Sequence, residues 1–399
     1  MLTRRKLLAA TAGTLAAPAI LRAQSSAPIR VGEINSYTAA AAFTLPYRNG
    51  WQLALEKVNA SGGVLGRKLE IVSRDDAGQP QNAIRLAGEL LNDQKVDLLA
   101  GGFLSNVGLA LTDFALQNKK LFVAGEPLSD ALVWDKGNRY TYRLRPSTYM
   151  QAAMLVPDAA KLKAKRWATV APNYEYGTST VKWFKQLLSA ARPDVEWVGD
   201  QLPTLGKIDA GATVAALAQA KPDAILNVTF AGDLTSFVRQ GNTRGLFDDR
   251  SVVSVLTGEP EYLDPLGAET PEGWLVTGYP VTAVSDPANK AFIDAYRAKF
   301  NELPKMGSVV GAALIASIVA GILKSGGTDS EKMADGFAGA SFDTPFGKAM
   351  WRAQDHQSTL GTYVGKTALK DGHGVMVDWR YVSGADALPS DAEVKKMRA

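Results

Sequence analysis

Residues 96–124 read VDLLAGGFLSNVGLALTDFALQNKKLFVA, and this stretch decides the fold. Val96–Ala100 is a short apolar run of strand length. Gly101-Gly102 breaks it, Asn106–Asn118 carries apolar residues at helical spacing, and Leu121–Ala124 is apolar again. A strand, a helix and a strand separated by so few residues predict a crossover unit with parallel strands. The pattern extends outward. Upstream lie a strand at Ile29–Ile34, a helix at Leu45–Asn59 closed by Ser61-Gly62-Gly63, a strand at Lys68–Arg74 and a helix at Pro80–Gln94. Together they predict an α/β unit whose parallel sheet is covered on both faces.

The alternation restarts after Arg143. Helices are predicted at Gln151–Leu162, Thr178–Ala191, Ala210–Ala220 and Leu234–Gly241. Strands are predicted at Arg166–Ala171, Val195–Gln201, Ala224–Val228 and Val252–Leu256. Two α/β units of similar size imply two similar domains. Trp274–Pro280 and Phe342–Phe346 read as crossings between them. Beyond Lys348 the chain is polar with strand-like pieces at Thr362–Val364 and Val375–Tyr381, and the last dozen residues read as frayed. The apolar run Val309–Leu323 is shorter than the roughly 20 residues that span a bilayer, so it reads as a buried helix.

Composition narrows the chemistry. The 399 residues contain no Cys and two His, His356 and His373, which excludes thiol catalysis and disulfides and leaves little for imidazole chemistry or metal binding. The net charge of +4 has an address: Arg4, Arg5, Lys6 and Arg22 lie in residues 1–23, which contain no acid. The remaining chain holds 40 bases against 40 acids. A nucleic-acid partner therefore has no support from charge. Basic residues, then apolar Leu7–Leu21, then Ala23 form the layout of a cleaved export signal. The paired Arg4-Arg5 resembles a twin-arginine signal, with the general secretory route as the alternative.

No G-x-G-x-x-G, P-loop or G-x-S-x-G motif occurs, so the chain is not read as an enzyme, and no cofactor or metal is expected. Asp75-Asp76, a paired carboxylate at a strand end, reads as a cap for the next element or a cross-domain hydrogen-bonding pair, with a metal site as the lesser alternative. In open α/β sheets ligands bind beyond the carboxyl ends of the strands. Three loops meet that condition. Gly101–Asn106 includes Phe103, Ser105 and Asn106; its free N–H groups suit a carboxylate, and Ser105 reads as a cap. Glu126-Pro127-Leu128 offers carbonyls and an acid to an amine or hydroxyl. Asn173–Gly177 offers aromatic rings.

At this point the chain resembles the leucine/isoleucine/valine-binding proteins of ABC importers, which are type I periplasmic binding proteins. The likeness covers nearly the whole of the chain after residue 23. It rests on Asn49-Gly50, Val58 through Lys68, Asp75-Asp76-Ala77, the Ser105 loop, Tyr174-Glu175-Tyr176-Gly177, Pro271-Glu272-Gly273, Pro345-Phe346-Gly347, Trp351-Arg352-Ala353 and Asp355-His356-Gln357, in that order.

The resemblance implies two Rossmann-like lobes joined by three crossovers. Residues 28–147 plus 279–347 would form the N-terminal lobe, and 148–278 plus 348–399 the C-terminal lobe. A small ligand would lie between them. By position, Ser105 corresponds to the carboxylate-binding residue, Phe43 to an aromatic wall, and Tyr176 and Phe230 to ligand contacts on the second lobe. The ammonium-binding acid falls near Thr257-Gly258-Glu259. Leu128 departs from a Thr that contacts the amino-acid head group. The expected ligand is a branched-chain or other apolar amino acid. An aromatic acid or small amide is the alternative, because Phe43, Tyr149, Tyr176 and Phe230 suit stacking. The implied partner is an inner-membrane ABC permease, and the implied state is a periplasmic monomer. A ligand sensor of the same fold is a further alternative.

Overall fold

The computed structural model describes residues 27–398. The export signal expected in residues 1–23, with its paired Arg and its expected cleavage near Ala23, lies outside those residues. The first sheet contains β1 (Ile29–Asn35), β2 (Leu69–Asp75), β3 (Leu98–Gly101), β4 (Phe122–Ala124) and β5 (Thr141–Arg143) in the order β2-β1-β3-β4-β5. All its pairings are parallel. The connecting helices are α1 (Ala41–Ala60), α2 (Pro80–Asn92) and α3 (Ser105–Asn118). β3 is buried at every residue, as a strand covered on both faces must be.

The chain then crosses to a second sheet. α4 (Thr148–Ala159), β6 (Arg166–Val170), α5 (Glu175–Ala191), β7 (Glu196–Gln201), α6 (Ala210–Ala220), β8 (Ala224–Asn227), α7 (Ala231–Thr243), β9 (Ser251–Gly258), α8 (Pro260–Leu266) and β10 (Leu275–Gly278) follow in turn. It crosses back through α9 (Pro287–Phe300), α10 (Met306–Ser325), α11 (Ser330–Phe337) and the antiparallel pair β11 (Ser341–Thr344) and β12 (Gly347–Met350). The third crossing leads to β13 (Thr362–Lys370), β14 (His373–Val382), α12 (Gly384–Ala387) and α13 (Asp391–Met397). The second sheet has the order β14-β13-β10-β9-β8-β6-β7. It is parallel from β7 to β10, but β13 runs antiparallel to β10 and β14 antiparallel to β13. Between β13 and β14, Asp371 and Gly372 both adopt positive φ, 51° and 76°, and close a two-residue hairpin.

The apolar run at Val309–Leu323 is the middle of α10, and 78% of its most apolar window is buried. It packs on α1 at close range. A Cβ on Gly50 would fall 2.0 Å from the Ser308 carbonyl oxygen, and one on Gly311 would fall 2.1 Å from that of Tyr47. Glycine is what lets these two backbones approach.

Three readings change. Strand β5 and helices α8, α9 and α11 went unread, although Asp286, whose side chain accepts from Ala288 and Asn289, precedes Pro287 as a helix start signal. Ser105 does not cap α3: the N-cap is Leu104, and no side chain caps this end. Residues 390–398 are held in place. Ser390 and Glu393 form a reciprocal capping box for α13, and the Arg398 guanidinium donates to the Gln354 carbonyl at 2.5 Å.

Candidate functional site

The first-lobe wall is built by strand ends. At the end of β3, Gly101 has φ +105°, and a Cβ there would meet the Ile34 carbonyl oxygen at 2.3 Å. This glycine-only bend presents Phe103 and Ser105 at the carboxyl edge of the sheet. The Phe103 ring packs on Phe43 with 5.4 Å between centroids, and the Ser105 hydroxyl oxygen accepts from the Ser129 amide at 3.1 Å. After β4, Glu126 is only 2% exposed, and neither of its carboxylate oxygens has a hydrogen-bond partner. Arg145 follows β5 and is also buried.

The second-lobe wall comes from the ends of β6, β8 and β9. It carries Tyr174 and Tyr176 around the start of α5, Phe230 before α7, Leu256 on β9 and Tyr262 on α8. The two walls face each other across a narrow cavity that is open to solvent at its mouth. The lobes touch around it. Phe103 and Phe230 meet edge to face at 6.5 Å, and the Ser129 hydroxyl donates to Glu175 at 2.6 Å.

Charge inside the cavity is unbalanced. Arg145 pairs with Glu259, both side chains almost fully buried, and lies over the Phe43 ring at 5.0 Å. Burial pushes the Glu259 carboxyl up to about 8, against the pull of Arg145. Burial also pushes Glu126 well above the usual carboxylate range; Arg145 opposes this, while Glu261, Glu259 and Glu33 reinforce it. Burial works against the Arg145 charge, but Glu259 and Glu126 outweigh it and hold its pKa above the ordinary value. The site therefore combines one internally paired acid, one unpaired acid, an uncapped helix N-terminus and an aromatic wall.

Of the residues singled out from sequence, Phe103, Ser105, Glu126, Tyr176 and Phe230 line this cavity. Phe43 and Glu259 stand behind it, against Phe103 and Arg145. Four others are placed elsewhere. Tyr149 packs on Trp134 and Trp183, at 5.4 and 5.0 Å between rings, because α4 turns it away from the cleft. The Thr257 hydroxyl lies 2.6 Å from that of Ser254. Pro127 fills the space above Gly102 and Gly108. Asn106 lies on the first turn of α3 with its amide oxygen buried and unpartnered, outside the cavity lining.

The residues that sequence reasoning missed are Arg145, Leu256 and Tyr262; Tyr174, read as one of the rings of the Asn173–Gly177 loop, and Leu128, noted only as a departure, also line the cavity. Reading strand β5 would have exposed Arg145, since Arg143 ends this strand and Arg145 lies two residues beyond it, at the carboxyl edge of the sheet.

The remaining polar groups serve structure. The Asp76 carboxylate accepts from the Ser36 hydroxyl and the Gly78 amide, each at 2.7 Å, and so holds a turn. His356 stacks on Tyr142 at 4.0 Å, with Nδ1 3.1 Å from the Thr141 carbonyl oxygen, and His373 is exposed beside the β13–β14 turn. Among the described residues, no group of three His, Asp or Glu side chains is placed to hold a metal ion.

Comparison with known proteins adds to this geometry. The model of the family described as "Periplasmic binding protein" matches residues 28–373. A leucine-, isoleucine-, valine-, threonine- and alanine-binding protein of Pseudomonas aeruginosa is 28% identical over 311 residues, spanning 75% of this chain and 79% of its own. Among solved structures, a solute-binding protein of an ABC transporter from Rhodopseudomonas palustris, in complex with 3,4-dihydroxybenzoic acid, has a TM-score of 0.81 at 24% identity over 90% of this chain and 98% of that one. An amino acid ABC transporter substrate-binding protein from Pseudomonas fluorescens has a TM-score of 0.80 at 21% identity, covering 92% and 98%. The likeness to both structures is one of fold: two lobes, the first with a parallel sheet and the second with a mixed one.

Proposed function

Because the chain belongs to the periplasmic binding protein family, we propose that it is the substrate-binding component of an ABC transporter. It captures a small carboxylate-bearing molecule between its lobes and delivers it to an inner-membrane permease without chemical change. The observation that carries this reading is the interlobe cavity, where the uncapped N-terminus of α3 and Ser105 meet a wall of aromatic rings. Free N–H groups at a helix N-terminus suit a carboxylate, and the helix dipole adds to the attraction. Phe103, Phe230 and Leu128 suit an apolar side chain.

The preferred ligand is a branched-chain or other apolar amino acid, in line with the name of the Pseudomonas aeruginosa relative. The second reading is an aromatic acid, favoured by Tyr174, Tyr176 and Tyr262 in the lining and by apolar Leu128. It is in line with the dihydroxybenzoate complex of the Rhodopseudomonas palustris protein. The proposed lobes are 28–147 plus 279–347 and 148–278 plus 348–399, which the membership of the two sheets supports. The third crossing is better drawn after Met350, since β12 pairs with β11. We place the protein in the periplasm as a monomer, exported by the signal in residues 1–23 and cleaved near Ala23.

Closure around the ligand removes water from the polar contacts and strengthens them. The test is a thermal-shift screen of amino acids and benzoate-type acids. One class is expected to raise Tm, since a ligand that binds only the native state stabilises it. No shift from either class would overturn both ligand readings.

A further inference from the structure

We propose that Glu126, and not Glu259, receives the cationic nitrogen of the ligand, so that the cleft selects amino-headed acids over plain carboxylates. This deepens the ligand-binding reading above and rests on it. The position that the family resemblance assigns to the ammonium is Glu259, but one oxygen of that carboxylate is already held by the Arg145 guanidinium. A second cation brought to Glu259 would lie beside Arg145 and be repelled by it.

Glu126 is differently placed. It lines the same cavity from the first lobe, is 2% exposed, and offers two unpartnered oxygens. The charged and titratable groups that face it are Arg145 after β5, Glu259 and Glu261 at the start of α8, Glu33 on β1 and Tyr47 on α1. The other three acids have donors of their own. Arg145 serves Glu259, the Met306 and Gly307 amides serve Glu261, and the Tyr37 and Ser73 hydroxyls serve Glu33. Among these four acids Glu126 is thus the one whose two oxygens both accept no internal hydrogen bond, and the Arg145 guanidinium that faces it is committed to Glu259. A buried carboxylate without a partner takes a proton, and an arriving ammonium would displace it. The faces of Phe103 and Phe230 add to the preference for a cation. Both polar ends of an amino acid would then be held by the first lobe, at Glu126 and at the α3 N-terminus. The second-lobe rings would close on its side chain.

The experiment compares L-leucine, its deaminated analogue 4-methylpentanoate, and benzoate by calorimetry on the wild-type protein and on Glu126→Gln. The expected results are that wild type binds leucine more tightly than 4-methylpentanoate and that Glu126→Gln weakens leucine by at least about thirtyfold while 4-methylpentanoate is unaffected or improved. Leucine binding to wild type is also expected to release a proton, so its affinity rises with pH by up to about tenfold per unit below the pKa of Glu126 in the free protein. That pH profile reads the proposal without any variant. Unchanged leucine affinity in Glu126→Gln, pH-independent leucine binding, or a wild-type preference for 4-methylpentanoate or benzoate over leucine would overturn the proposal and leave a carboxylate receptor standing. Failure of all three probes to bind wild type would instead overturn the ligand reading itself.

Discussion

The carboxylate of Glu261, on the second lobe, accepts the backbone N–H of Gly307 at 2.7 Å, at the N-terminus of a helix that packs in the first lobe. The Met306 amide donates to the same carboxylate at 3.2 Å. A cap for α10 is thus supplied across the lobe interface, close to Tyr262 of the cavity wall. Removing it leaves the first N–H groups of α10 without that acceptor and loosens the lobe contact.

Glu261→Ala should therefore lower stability by roughly 1–2 kcal/mol, the scale of a helix cap with a favourable dipole term. Ligand affinity should fall as well, since the contact favours closure. A melting curve and a binding isotherm check this. Unchanged affinity with a lowered Tm would show that the contact persists in the open arrangement.

Arg145 and Glu259 should behave as a unit. Arg145→Met leaves Glu259 buried without its counter-charge and should cost about 3–5 kcal/mol in chemical denaturation. Arg145→Met combined with Glu259→Gln removes both charges and should recover most of that loss. Additive losses in the double variant would show that the two residues do not depend on each other.

Two buried groups set opposite pH limits on stability. Burial lowers the His356 pKa from 6.5 to about 4. The folded state keeps the neutral ring while the unfolded state protonates, so this residue costs stability as pH falls from 6.5 to about 4. Burial raises the Glu33 pKa from 4.5 to about 8, so its cost grows as pH rises through that interval. His356→Phe, which keeps a ring against Tyr142, should flatten the acid arm of a denaturation-versus-pH curve. Glu33→Gln should flatten the loss of stability between pH 4.5 and about 8. Parallel curves for variant and wild type would remove these groups from the account.

Much of the fold was legible because it depends on local periodicity. The run Val96–Ala124 carries its own strand, turn and helix signals, and Ala210–Ala220 falls where its spacing puts it. β5, three residues long, was too short to leave a period. The β13–β14 hairpin lengthened beyond its apolar pieces because cross-strand bonding carries polar residues along with it. Loop chemistry brought Ser105, Glu126 and Tyr176 to light, since each follows a strand end, and the family resemblance brought Phe230. Tyr149 was misplaced because its direction depends on how α4 packs, which no local pattern contains.

The sequence by itself determined that this is a two-unit α/β chain, that its surplus charge belongs to residues 1–23, and that it lacks the residue types for thiol or disulfide chemistry. Those properties follow from residue spacing and inventory. Only the tertiary structure decided that Arg145 pairs with Glu259, that Glu126 is left without a partner, and that Glu261 caps a helix of the opposite lobe. Their partners lie 114 and 46 residues away along the chain. Burial then makes the absence or presence of a single counter-charge decisive.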